Sequence, residues 1–252
     1  VSFDAIGSES LTMIEVPKRF SRLEADLSEI VGSVAFCALR SSEANVLTGI
    51  YLSDRGASSA DGVRLAVREF SWPGFGRPAV ISAKAASKLV SWGRPKSWAR
   101  TPSALWFLWE GRWLWCRFMA SDFPDVFSIY EQVRKDGGVD VSYDRDAMSS
   151  GVELVVQSTE SPYLSLSVSP NSVRLSCSVV SKASASASVP CKASAPAEFL
   201  SHAARLSEAT ARFPNVRYTE GRALVFSGGP EGLGHVLMTV AEESAGIGGG
   251  GS

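Results

Sequence analysis

A chain of 252 residues is long enough for two domains of ordinary size, each able to bury a core. Apolar residues at 45% and charged residues at 20% describe a globular protein, and a net charge of -1 gives no global attraction for nucleic acid or membrane. Any DNA contact must therefore come from a local basic surface. Cys37, Cys116, Cys177 and Cys191 are dispersed, the nearest two 14 residues apart with no His at ligand spacing, which argues against a metal centre and for reduced, cytosolic thiols. No apolar run reaches membrane-spanning length, and the first residues lack a signal-peptide core.

Residues 1–10 are mostly small and polar; 11–16 alternate as a strand that ends at Pro17. Leu23, Leu27, Ile30, Val31, Val34 and Cys37 recur at helical spacing and predict a helix over 23–38. Leu47, Ile50 and Leu52 form a β-like run closed by Asp54-Arg55-Gly56. Asp61-Gly62 makes a second turn, because Gly tolerates positive φ and Asp bonds its own backbone. Leu65-Ala66-Val67 resumes the strand, with Arg64 where the chain re-enters the sheet. Trp72-Pro73-Gly74-Phe75-Gly76 is a break; Ala79-Val80-Ile81 is strand-like, and 83–92 is a short helix with Leu89 and Val90 inward.

Residues 105–118 read as a hairpin around Glu110-Gly111, apolar on both faces and so covered on both. Its four tryptophans are assigned to core packing ahead of a stacking platform for single-stranded nucleic acid, since large aromatics more often fill cores. Ser121-Asp122-Phe123-Pro124-Asp125 leads into Val126 to Tyr130, and the polar stretch 132–138 fits an interdomain linker.

The second half repeats the plan. Val139-Asp140-Val141 is a strand, and Asp144 an N-cap for a helix through Val155, weakened by Ser149-Ser150-Gly151. Residues 163–168 and 173–179 alternate as strands around Pro170-Asn171. The Ser/Ala alternation of 181–188 suits a solvated edge strand or a disordered loop, with the strand favoured. Residues 197–207 read as a helix with Phe199, Leu200, Ala203 and Leu206 apolar, and 216–218, 223–226 and 236–238 as strands. Each half is thus strand, helix, three strands, and the same again: four helices and about sixteen strands.

No nucleophile elbow, phosphate loop, metal signature or dinucleotide fingerprint is present. His202, on a predicted helix, and His235, beside the last strand, have no motif around them, so a surface or capping role outweighs that of a general base. Lys84 and Lys88 share one helix face; Arg40 follows the first helix, Arg94 and Lys96 the second, and Arg205 lies on the fourth.

Val46-Leu47-Thr48-Gly49 followed by Ala60-Asp61-Gly62-Val63-Arg64-Leu65-Ala66-Val67 resembles the Leu-Thr-Gly … Thr-Asp-Gly-His/Tyr-Arg-Leu-Ala-Val signature of bacterial-type DNA sliding clamps, the DNA polymerase III beta subunit family. Ser121-Asp122-Phe123-Pro124-Asp125 is similar to that family's Gly-Glu-Phe-Pro-Asp-Tyr, and Val236-Leu237-Met238-Thr239-Val240 to its closing Val-Val-Met-Pro-Met. The resemblance runs from about Leu11 to Val240 and matches the family's second and third domains only. Ala60, Val63 and Thr239 depart from the pattern and alter the polar character of the pocket.

What the resemblance implies is an α+β DNA-clamp fold in two domains, 11–131 and 139–241, each with two helices packed on antiparallel sheets. Residues 242–252 are a flexible tail whose Gly248-Gly249-Gly250-Gly251-Ser252 resembles an engineered linker. The implied function is non-catalytic and needs no cofactor: a processivity factor that encircles duplex DNA without reading sequence and captures short peptides of DNA polymerase and other partners. Leu47, Gly62, Val63, Arg64 and Leu65 match one wall of the family's peptide pocket, Pro124 and Ile129 another, and Val236, Leu237, Met238 and Val240 a third. Arg40, Lys84, Lys88, Arg94, Lys96 and Arg205 would hold phosphates in a helix-lined hole, while the third helix, with only Arg145 near its start, adds little. Six equivalent domains close such rings, so a two-domain chain implies a head-to-tail homotrimer, nucleoid-associated in the cytoplasm, with a clamp loader as a further candidate partner. The runner-up is a clamp-fold adaptor or decoy that forms no ring; a DNA-modifying enzyme stands third.

Overall fold

The computed structural model describes residues 16–22, 25–40, 45–119, 122–158, 161–178, 184–219 and 222–239. The strand expected over 11–16 lies outside them except for Val16, as do Leu23, Ser121, Val240, residues 181–183 and the Gly-rich tail.

The chain is built from four units of strand, helix and three strands. The first is β1 (Ser21–Arg22), α1 (Leu27–Ala35), β2 (Gly49–Ser53), β3 (Gly56–Ala60) and β4 (Arg64–Glu69). The second is β5 (Ala79–Ser82), α2 (Ala83–Trp92), β6 (Ser97–Arg100), β7 (Ala104–Trp109) and β8 (Arg112–Arg117). After α3 (Val126–Lys135), the third is β9 (Val139–Tyr143), α4 (Arg145–Ser158), β10 (Tyr163–Ser169), β11 (Ser172–Ser178) and β12 (Ser184–Ala193). The fourth is β13 (Ala197–His202), α5 (Ala203–Thr210), β14 (Asn215–Thr219), β15 (Ala223–Ser227) and β16 (Leu233–Met238).

Paired units exchange their first strands. β1 pairs with β6 and β5 with β2; likewise β9 pairs with β14 and β13 with β10, all antiparallel. The halves then join edge to edge, β16 against β4, with Val236 opposite Leu65 and Leu237 opposite Arg64. Twelve strands form one continuous sheet, and β1-β6-β7-β8 form a second. One apolar core runs beneath both halves and includes Leu27 and Val31 of α1, Leu89 of α2, Val152 of α4 and Leu206 of α5. A smaller cluster lies on the opposite face of the seam, under α3.

Local chemistry sets the boundaries. α1 starts at Leu27 because the Asp26 carboxylate accepts from the Ser28 and Glu29 amides. Asp144 caps α4 through the Ala147 amide. Gly151, unfavourable for helix propensity, lets α4 lie close to the sheet, where a Cβ would meet Val189 and Leu175.

Four expectations need correcting. Residues 132–135 are helix, not linker: Val126, Phe127, Tyr130 and Val133 recur at helical spacing and bury against the seam. This makes five α-helices among the described residues, where four were expected. Ala197–His202 is strand β13 rather than the start of a helix, because it pairs along β10 while the following Ala203–Thr210 carries the helical spacing. Val90 is not inward but 41% exposed, beside Gly32 of α1. The Trp hairpin is covered on one face, where Leu105, Phe107 and Trp109 join the main core, and half-open on the other, where Trp106 is buried but its neighbour Trp113 is 37% exposed.

Candidate peptide-binding seam and basic helix face

The Asp61-Gly62 turn holds the site together. Gly62 has φ +92°, with open space around its missing side chain. One Asp61 carboxylate oxygen accepts from the Val63 and Arg64 amides at 3.2 and 3.1 Å. The other accepts from Arg64 Nε at 3.0 Å and Arg205 Nη1 at 2.5 Å. Arg64 also donates to the Phe36 carbonyl at 2.7 Å and to the Glu208 carboxylate. Burial opposes the charge of Arg64, but its Glu208 and Asp61 partners hold its pKa above the ordinary value. Two residues of α5 are thereby tied to a turn of the first half.

Strand alternation then sorts the expected pocket residues onto two faces. Val63 and Leu65 of the first half lie on the α3 side with Val236 and Met238 of β16. The Met238 amide donates to the Val63 carbonyl at 2.9 Å, and these two side chains are 45% and 46% exposed. Leu65 and Val236 are buried beneath them as a floor. Leu47, in the short turn Val46–Thr48, packs half-buried against the same cluster. Pro124, exposed, leads into α3, on which Ile129 is 43% exposed. The result is an open apolar groove at the seam, with few polar groups, suited to anchoring the side chains of an extended peptide.

Arg64 and Leu237 do not belong to it. Both point to the opposite face, Arg64 into the ion network and Leu237 into the main core. Val240 lies outside the described residues. Tyr51 and Phe123, stacked at 5.4 Å beside the groove, were not anticipated; the Phe-Pro-Asp stretch was the available signal for Phe123.

His235 is neither a surface nor a capping residue. It is fully buried, its Nδ1 2.8 Å from the Leu65 carbonyl and 3.4 Å from the Cys37 thiol, among the rings of Phe36, Phe213 and Phe226. Burial lowers its pKa to about 3, so it is neutral, with the proton on Nδ1 facing the carbonyl. His202 ends β13 and makes no side-chain cap bond to α5.

The basic residues divide as well. Lys84 and Lys88 are exposed on α2, with Arg40 and Arg94 exposed after α1 and α2. Arg205 is held by Asp61, and Lys96 lies 3.3 Å from Glu110 at the tip of the β7-β8 hairpin. Among the described residues no cluster of three His, Cys, Asp or Glu side chains is placed to hold a metal, and no helix is long and apolar enough to cross a membrane.

The fold is that of the bacterial DNA sliding clamps. The DNA polymerase sliding clamp of Caulobacter crescentus superposes with a TM-score of 0.77 at 20% identity, over 90% of this chain and 68% of that one. The DNA polymerase III beta subunit of Thermotoga maritima gives 0.78 at 14% identity, over 94% and 70%. That of Borrelia burgdorferi gives 0.76 at 14% identity, over 85% and 60%. The chain therefore spans about 60 to 70% of the length of these clamps. No protein-family model and no curated protein matches it by sequence.

Proposed function

We propose that this chain works as a sliding clamp: a non-catalytic ring on duplex DNA that holds a polymerase or another partner by a short peptide seated in the seam. The observation that supports this most directly is the groove itself. A strand from each half, a turn and a helix meet there, and Val63 and Met238, joined by a backbone hydrogen bond, both stay exposed above the buried Leu65 and Val236. Large apolar side chains left together at the surface mark an interaction site. The helix side of the same sheet carries the exposed pair Lys84 and Lys88, suited to phosphates that are held without base readout. With two clamp halves per chain, three copies supply the six needed for a ring.

Fluorescence anisotropy with the C-terminal peptide of a DNA polymerase tests the groove. Met238→Asp places a charge among apolar anchors at a half-exposed position, so the protein stays folded while affinity falls at least tenfold. An unchanged affinity would remove the groove from the mechanism.

A further inference from the structure

The sheet β1-β6-β7-β8 has an outer face that neither the seam nor the helices use. Its four strands are antiparallel throughout. The inner face is committed, since Trp98, Leu105, Phe107 and Trp109 enter the main core with Leu89 of α2. Alternation turns the intervening residues outward, and the register arranges them in rows across the sheet. Arg22, Ser97, Leu108 and Trp113 stand side by side in the first row. Ala99, Trp106 and Trp115 form the second, with Phe20 packed against it, and Ala104 and Arg117 form the third. With strands about 4.8 Å apart, the face is about 14 Å across from β1 to β8.

Two properties of this face point to one kind of ligand. The first is its aromatic surface. Trp106 is buried as a floor, with the Trp113 ring at 5.0 Å and the Trp115 ring at 6.3 Å from it, so both outer indoles are held in place by packing. Trp113 is 37% exposed and Trp115 half-buried, while Ser97, Ala99 and Ala104 keep the rest of the face low. The second property is charge. Arg22 and Arg117 are exposed at opposite corners, and Lys18 and Arg19 are exposed just before β1. No Asp or Glu occurs in any of the four strands, and Glu110, at the hairpin tip, is paired with Lys96. A ligand that matches must be anionic and must carry flat rings at short intervals. Single-stranded nucleic acid has both, because every base offers a π-face and every link a phosphate. A four-stranded sheet with aromatic side chains on its open face is a known way of stacking unpaired bases. The indoles lie along the sheet and do not project from a loop, which suits a stacked base and not insertion among lipid headgroups.

We propose that the outer face of β1-β6-β7-β8 binds single-stranded nucleic acid, with bases stacked on Trp113 and Trp115 and phosphates held by Arg22 and Arg117. Lys18 and Arg19 continue the basic track past β1. Stacking is open to every base, so the site tolerates any sequence. It requires neither the ring nor the peptide groove, and it is separate from Lys84 and Lys88, whose helix α2 packs on the inner face of the sheet.

Fluorescence anisotropy with labelled oligo-dT of about 12 nucleotides, titrated with the intact chain at low ionic strength, tests the site. Trp113→Ala should weaken binding about fivefold or more, and Trp113→Phe, which keeps a ring, should restore most of it. Arg22→Gln combined with Arg117→Gln should reduce the slope of log affinity against log salt by about 0.7 for each phosphate no longer neutralised. An abasic strand of the same length, with phosphates but no bases, should bind the parent about fivefold more weakly or worse and should not respond to Trp113→Ala. Duplex association and polymerase-peptide affinity should be unchanged in every variant, which keeps this site apart from the helix face and the groove. Should Trp113→Ala fold poorly by circular dichroism, the exposed arginine pair carries the test. Oligo-rU run alongside distinguishes RNA from DNA, and binding of either strand supports the site. Failure to bind both strands, equal affinity for the abasic strand, variants that bind as the parent does, or a loss shared equally with duplex DNA would each overturn the proposal. So would capture by phosphatidylserine vesicles without any binding of the oligonucleotides.

Discussion

Leu65 and His235 sit on neighbouring strands 170 residues apart in sequence, and the histidine donates to the leucine carbonyl from the buried side of the sheet. Folding therefore keeps His235 neutral, with its pKa lowered to about 3 by burial, against about 6.5 in an unfolded chain. Below pH ~6.5 the unfolded state binds the extra proton, so stability falls with acidification by about 1.4 kcal/mol per pH unit until the pH nears 3. Above pH ~6.5 the residue contributes no pH dependence. Urea unfolding at pH 6.5 and 4.5 should show the parent chain losing about 2 to 3 kcal/mol more than His235→Gln. His202, shifted the same way by partial burial, is common to both proteins and cancels. The sequence placed His235 beside a strand but carried no sign of its depth, because the rings around it come from three separated stretches. The same holds for Arg64. Its match to a family motif put it in the groove, while strand alternation turns it to the other face, where Asp61, Glu208 and the Phe36 carbonyl surround it. Leu65 marks the other limit: it is buried in the groove floor, so a charge there would test folding and not binding.

At the scale of elements, α3 determines how the seam is covered. Its N-terminus is fixed by Asp125, which accepts from the Ser128 amide at 3.1 Å and hydroxyl at 2.6 Å; these bonds hold the carboxyl below its ordinary pKa. Arg55, from the turn between β2 and β3, lies over the Phe127 ring at 5.0 Å and pairs with Glu131. Tyr130 crosses Gly234, a position where any Cβ would strike the ring. Asp125→Ala removes the cap and should cost about 1 kcal/mol in denaturant unfolding, with peptide affinity weakened alongside because Ile129 and Pro124 lose their fixed positions. A loss of stability with wild-type affinity would place α3 outside the groove. The helix was not read from the sequence: residues 126–130 were matched only to a family stretch, and Gln132, Arg134 and Lys135 read as linker because only one side of this helix has anything to bury. In β13 the ambiguity ran the other way. Phe199 and Leu200 fit either period, and pairing with β10 decided for strand. The hairpins around Asp54, Asp61 and Pro170 were the easiest to read, because turn chemistry is local.

Over the whole molecule the order of the four units was readable from the sequence, while the joining of the halves through β4 and β16 depends on long-range pairing that no local pattern carries. Charge follows the same division. The exposed faces of α4 carry Asp146 and Glu153 against Arg145, and α5 has its Arg205 held by Asp61. Among the described helices, α2 carries Lys84 and Lys88 exposed, and no acidic residue shares it. In the proposed clamp, a chain of net charge -1 would attract duplex DNA through such a local basic stripe, and attraction of that kind acts on phosphates alone. Reversing both lysines to Glu should weaken duplex association and reduce the slope of log affinity against log salt by about one unit for each phosphate no longer neutralised. The weakening should be equal for duplexes of unrelated sequence, because nothing in the stripe is placed to read bases. Titrating two such duplexes across a salt series decides the matter. An unchanged slope would show that α2 does not face the DNA, and a weakening confined to one sequence would replace the proposed sliding mechanism with base readout.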